Sequence, residues 1–126
     1  MKTSYTIDVD RNLITKIHRG AITVDDEIEL LTAVFSDPTF RRGMNAICDY
    51  TEATAEWSFS DIDRIRAYIA RIKHIAGTCK WAIVAPKGKD RSTGRIFVAL
   101  HEAFEDTITV KLFDTVEEGL AWITND

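Results

Sequence analysis

Residues 45–49 read Asn45-Ala46-Ile47-Cys48-Asp49, a short stretch whose apolar residues are contiguous rather than alternating. A run of that kind is expected for a strand covered on both faces. Its flanks decide the fold. Upstream, Val24, Ile28, Leu31 and Phe35 fall on one helical stripe, and downstream Ile62, Ile65, Ile69 and Ile72 repeat at helical spacing. A strand that lies between two helices reaches its neighbours through crossovers, so it pairs in parallel, and such crossovers are almost always right-handed.

The same reading extends outward in both directions. Tyr5, Ile7 and Val9 alternate with Thr6, Asp8 and Asp10. After an Arg11-Asn12 turn, Leu13, Thr15 and Ile17 alternate with Ile14, Lys16 and His18, which predicts a β-hairpin. Thr23 is placed to cap the first helix, and Asp25, Asp26, Glu27 and Glu29 load its first turn with charge that suits the helix dipole. Pro38 stops that helix near Asp37. Ser60 with Asp63 resembles a capping box for the second helix, and Gly77 is placed to end it. Trp81 to Ala85 is a second contiguous apolar strand, followed by a loop and a helix carrying Ile96, Phe97, Leu100 and Phe104. Thr109 to Phe113 alternates, and Thr115 with Glu118 opens a last helix that buries Val116, Leu120 and Ile123. The expected order is β-β-α-β-α-β-α-β-α. This is an α/β fold on a mixed, mostly parallel five-stranded sheet, with the hairpin at one side and 109–113 at the other.

The chain has 126 residues, 45% hydrophobic and 29% charged, which fits one domain over 1–126. A domain of this size buries roughly two thirds of its unfolded surface and needs no staple. The net charge of −4 argues against nucleic acid as a partner. No apolar run approaches the ~18 residues of a membrane span. Cys48 and Cys79 read as reduced thiols and the location as cytoplasmic. His18, His74 and His101 are scattered, so neither metal nor cofactor is expected.

Ligands of parallel sheets gather beyond the C-terminal ends of the strands. That rim is expected to run through Asp49, Tyr50, Thr51, Trp57 and Phe59 on one side. On the other it runs through the loop APKGKDRSTGR, residues 85–95, with Lys87, Lys89, Arg91, Ser92 and Thr93. The loop fails the phosphate-loop pattern, because Lys89 precedes the hydroxyls by three residues and Arg95 follows Gly94. A weaker anion site at a helix N-terminus is the sharper reading there, and a solvated loop the favoured one. Cys79 paired with His101 as a nucleophile is disfavoured against a structural thiol. Asp49 and Glu52 lack a recognisable acid/base partner. Arg64, Arg66, Arg71 and Lys73 fall opposite the isoleucines of the second helix. Arg64 and Arg71, with the nearby aromatic residues, form a candidate docking face for an acidic partner.

In this order, the stretches YTIDVDRNLITKIHRGAIT, SDPTFRRGMNAICDYTEA, KWAIVAP and VKLFDTVEEGLAWI resemble the STAS-like domains, within them the small bacterial SpoIIAA-like (STAS/SEC14) proteins. The resemblance covers nearly the whole chain. It implies a right-handed β-α superhelix with sequential strands and a regulatory or binding role without enzymatic chemistry. It also implies a phospho-acceptor serine at the start of the helix after the third strand, where this chain has Ser58 and Ser60 but lacks the family's glycine. Ordinary capping is favoured for these serines. Two functions follow as expectations. One is a protein-interaction module, self-association included. The other is a carrier that holds an apolar or anionic small ligand between sheet and helices.

Overall fold

A computed structural model describes residues 2–85 and 107–125. The chain starts with the hairpin β1 (Thr3–Asp8) and β2 (Leu13–Ala21), paired antiparallel with Thr3 opposite His18 and Asp8 opposite Leu13. Its turn closes because Asn12 adopts a left-handed φ of 55°, which asparagine tolerates, and because the Asp8 carboxylate accepts the Arg11 amide at 3.1 Å. Helix α1 (Val24–Ser36), strand β3 (Asn45–Thr54), helix α2 (Phe59–Ala76) and strand β4 (Cys79–Val84) follow. Strand β5 (Ile108–Phe113) and helix α3 (Val116–Thr124) complete the described elements. The helix expected around Ile96 to Phe104 lies outside the described residues.

The five strands lie in the order β1-β2-β3-β4-β5, antiparallel at the first pair and parallel at the other three. The hairpin and the 108–113 strand therefore stand at the two sides and the contiguous apolar strands in the middle, as their sequence patterns predict. Strand alternation sorts the central side chains into two layers. Ala46, Cys48, Tyr50, Trp81 and Ile83 face one way and pack with Leu31, Val34, Ile65 and Ile69 of α1 and α2. Ile47, Ala82 and Val84 face the other way and pack with Ile123 of α3. Each central strand is thus covered on both faces, which explains its uninterrupted apolar run.

Two glycines set the helix positions. Gly77 ends α2 at φ 78°, with its Cα against Arg42 and Gly43, where any Cβ would collide. Gly119 lets α3 lie close on the sheet, since a Cβ there would stand 3.2 Å from both the Ala82 Cβ and the Ile47 Cδ1. Helix α1 stops at Asp37 in extended geometry ahead of Pro38, as expected.

Two boundaries differ from expectation, and the Thr115 start of α3 does not. Strand β3 runs on to Thr54, so Asp49, Tyr50 and Thr51 belong to a strand and not to a rim loop. The reason is that β2 also continues, to Ala21, and keeps supplying a hydrogen-bonding partner. Ser58, not Ser60, caps α2: its side chain accepts the Asp61 amide while Asp61 accepts the Ser58 amide, a reciprocal arrangement that Ser60 with Asp63 does not make. In α3 the Glu118 amide goes to Thr115 Oγ1, and the Glu118 carboxylate takes the Thr115 hydroxyl.

Candidate functional site

The C-terminal ends of β2 and β3 deliver the chain into two helix starts of the same design. Thr23 Oγ1 accepts the Asp26 amide at 3.1 Å and Asp26 returns the bond to the Thr23 amide at 2.9 Å. Ser58 and Asp61 repeat this at 3.1 and 3.0 Å. Between the two helix starts is a cleft of about 470 Å³, lined by Thr23, Asp25, Thr54, Glu56, Trp57, Asp61 and Arg64 among others. The Arg64 guanidinium reaches from α2 to the Asp25 carboxylate of α1 across it. Both helix starts thus already hold carboxylates of their own, Asp26 and Asp61, where an external anion would otherwise bind. The Asp26 carboxyl is lowered chiefly by the hydrogen bond from the Thr23 backbone, with Lys2 assisting.

The expected rim residues separate on this frame. Phe59 is 81% exposed at the first position of α2, beside the cleft. Trp57, expected to line the rim as an apolar anchor, is buried and donates its indole N–H to the Ile22 carbonyl at 3.1 Å, which ties the segment before α2 to the segment before α1. Tyr50 is buried in the sheet and Asp49 is half-buried, its carboxylate accepting the Thr51 amide at 2.8 Å. Ser58 and Ser60 are exposed, Ser58 as the cap and Ser60 in the first turn. Arg64 and Arg71 are both exposed on α2, with Arg71 lying 5.8 Å over the Tyr68 ring. Lys87, Lys89, Arg91, Ser92 and Thr93 lie outside the described residues, as does His101.

A second constellation was not expected. Lys16 and His18 of β2, Glu27 of α1, and Cys48 and Tyr50 of β3 are all buried together. Glu27 is the centre. Its Oε1 accepts from Lys16 Nζ at 3.0 Å, and its Oε2 meets His18 Nε2 at 2.8 Å and accepts from the Tyr50 hydroxyl at 3.1 Å. The imidazole lies flat on the Tyr50 ring, centroids 3.9 Å apart, and its Nδ1 sits 3.0 Å from the Asp49 carbonyl oxygen. This is where the β2–β3 register slips, between Ile17 and Arg19, and such bulges re-aim side chains. Lys16 also lies 4.6 Å over the Trp81 ring.

The charges in this cluster support one another. Burial would raise the Glu27 carboxyl, but the charges of Lys16 and His18 and their hydrogen bonds outweigh it and hold the group well below the usual carboxylate range. Burial opposes a charged Lys16, yet Cys48 and Glu27 more than compensate and raise it. Burial pushes the Cys48 thiol up to about 11 and, with the Glu27 charge, pushes Tyr50 well up. Cys79 is likewise pushed to about 11 by burial, the opposite of what a thiolate nucleophile needs.

One signal in the sequence points to this cluster. Lys16 and His18 share the strand face of Ile14, and Glu27 lies three residues after Val24 and four before Leu31, in the buried stripe of α1. Reading Glu27 as a solvent-facing dipole acid conceals it. No protein-family model matches the chain, and no curated protein matches it.

Proposed function

We propose that this chain is a STAS-like domain of the SpoIIAA-like type, a right-handed β-α superhelix that acts through protein contacts and not through catalysis. Sequential strand order supports the superhelix, with α1 and α2 on one face of the sheet. The observation that carries the functional reading is the division of labour among side chains. Lys16, His18, Glu27 and Cys48, which have side chains able to do proton or thiol chemistry, are sealed in the core, while α2 presents outward Phe59 at its start and Arg64 and Arg71 farther along.

Exposed Phe and Arg side chains on one helix are of the types enriched in interface hot spots, and Arg71, with Arg64 if it exchanges Asp25 for a partner carboxylate, suits an acidic partner. The Trp57 indole lines the cleft with its N–H committed to the Ile22 carbonyl, holding the two helix starts together and leaving no donor there for a ligand. The partner surface is the start of α2 with the adjoining cleft, and the domain is cytoplasmic. The test is affinity capture from native extract with the wild type, Phe59→Ser, and the double variant Arg64→Glu with Arg71→Glu, each first shown to be folded by circular dichroism. A partner captured by the wild type and lost by both variants supports the reading. Capture that is indifferent to both variants contradicts it.

A further inference from the structure

Strand β1 ends the sheet, and among the described residues it has a strand partner on one side only. Antiparallel pairing alternates hydrogen-bonded and non-bonded residue pairs, so a single bond fixes which backbone groups look outward. The Arg19 amide donates to the Lys2 carbonyl at 2.7 Å, which makes Lys2 and, by alternation, Ser4, Thr6 and Asp8 the residues bonded toward β2. The N–H and C=O groups of Thr3, Tyr5 and Ile7 therefore point away from the sheet. Edges of this kind are normally blunted by proline, a bulge or a charged side chain at mid-strand, because an unpaired ladder recruits another chain. None of these devices is present in β1. Its register with β2 is unbroken from Thr3 to Asp8, its one charge stands at the last position, and Thr3, Tyr5 and Ile7 are all of types that favour strands. Beside the edge a groove of about 380 Å³ opens between β1 and α1, lined by Thr3, Ser4, Tyr5, Glu29, Leu30 and Ala33.

We propose that β1 is a dimerisation edge: it pairs antiparallel with β1 of a second copy about a twofold axis at Tyr5, joining two five-stranded sheets into one. An axis there sets Thr3 opposite Ile7 of the second copy, Tyr5 opposite its own counterpart, and Ile7 opposite Thr3. All three outward residues of each strand are then bonded at once, whereas a slip by two residues in either direction leaves one of the three without a strand partner. The side chains agree with this register. Lys2 and Asp8, of opposite charge, stand across from each other at both ends of the seam. Lys2 uses two of its three hydrogens on the Ala21 carbonyl and Asp26, and Asp8 uses one oxygen on the Arg11 amide, so each keeps capacity for the other. On the α1 side, Ile7 of the second copy arrives beside Thr3, where the groove with Leu30 and Ala33 covers it. A foreign extended peptide would meet the same backbone groups without this charge match, so the self-complementary sequence favours a second copy. The pairing uses the sheet edge and not α2, and it stands whether or not the rim binds a protein.

The test is sedimentation of the full chain from about 10 μM to about 1 mM, with amide hydrogen exchange in β1 measured at both ends of that range. The expected result is a concentration-dependent dimer. In it the Thr3, Tyr5 and Ile7 amides gain about tenfold or more protection, while those of Ser4, Thr6 and Asp8, bonded to β2 in either state, change little. Thr3→Pro removes one outward donor from each copy and no bond to β2, at the first strand position, where proline is tolerated. It is expected to weaken the dimer about tenfold or more, as for loss of two backbone hydrogen bonds. A chain that stays monomeric throughout overturns the proposal. So does a dimer whose Thr3, Tyr5 and Ile7 amides exchange as fast as in the monomer, or one that Thr3→Pro leaves unchanged. If Thr3→Pro does not fold, the wild-type sedimentation and amide pattern alone decide.

Discussion

Glu27 is a carboxylate with three donors and no access to water, and a buried anion in that position is costly to disturb. Replacing it by Gln leaves Lys16 and His18 without their counter-charge, and removing one partner of a buried ion pair typically costs ~3–5 kcal/mol. Urea unfolding of Glu27→Gln at neutral pH measures this, and a loss below about 1 kcal/mol would show that the cluster is not a closed charge system. The acid dependence has a definite sign. The Glu27 carboxyl is depressed in the folded chain, so its contribution is complete above the ordinary carboxylate range and declines as pH falls through and below it. Wild-type stability should therefore fall more steeply between pH 6 and 3 than that of Glu27→Gln. The two thiols, both raised to about 11 and buried, should react with a thiol reagent at pH 7.5 only after unfolding. Prompt labelling of the native protein would contradict the placement of either one. At this scale the sequence was least legible. The parity of Lys16 and His18 with Ile14 is visible in it, but the meeting of Lys16, His18, Glu27 and Tyr50, four polar side chains from three elements, depends on tertiary packing.

The helices test local chemistry one residue at a time. If Ser58 is the cap of α2, Ser58→Ala costs ~1 kcal/mol, whereas Ser60→Ala stays within about 0.5 kcal/mol as an exposed substitution. The reverse order in thermal or urea unfolding would restore Ser60 to the role its sequence context suggests. Both serines precede an aspartate at capping-box spacing, so text alone does not choose between them. The choice is made by β3 ending at Thr54 and by Trp57 binding the Ile22 carbonyl, which fix where the chain turns. Gly119→Ala gains up to ~1 kcal/mol of helix propensity. Its methyl, however, meets the Ala82 Cβ, which is fixed on a central strand, at 3.2 Å. Overpacking of this kind costs ~1–3 kcal/mol, so net destabilisation is expected. An unchanged or raised melting temperature would mean that α3 lifts from the sheet without penalty.

For the whole molecule, the pattern of strands was the most legible feature. Contiguous apolar runs marked β3 and β4 as central, and alternation marked the hairpin and β5 as the sides, because burial on two faces or one leaves a direct imprint on composition. Strand ends were less legible, since β2 and β3 sustain each other to Ala21 and Thr54 through residues such as Arg19, Gly20, Glu52 and Ala53, whose types carry little strand signal. That shift moved Asp49, Tyr50 and Thr51 off the expected rim and left the start of α2 as its outward face. No described helix is long and apolar enough to cross a membrane. The central claim, a domain that works through protein contacts and not by carrying a small molecule, is tested most directly by native mass spectrometry of the protein purified from its own cells. The account predicts the bare chain mass, alone or in complexes whose added mass is protein. A stoichiometric small molecule retained on the chain and released on unfolding would contradict it.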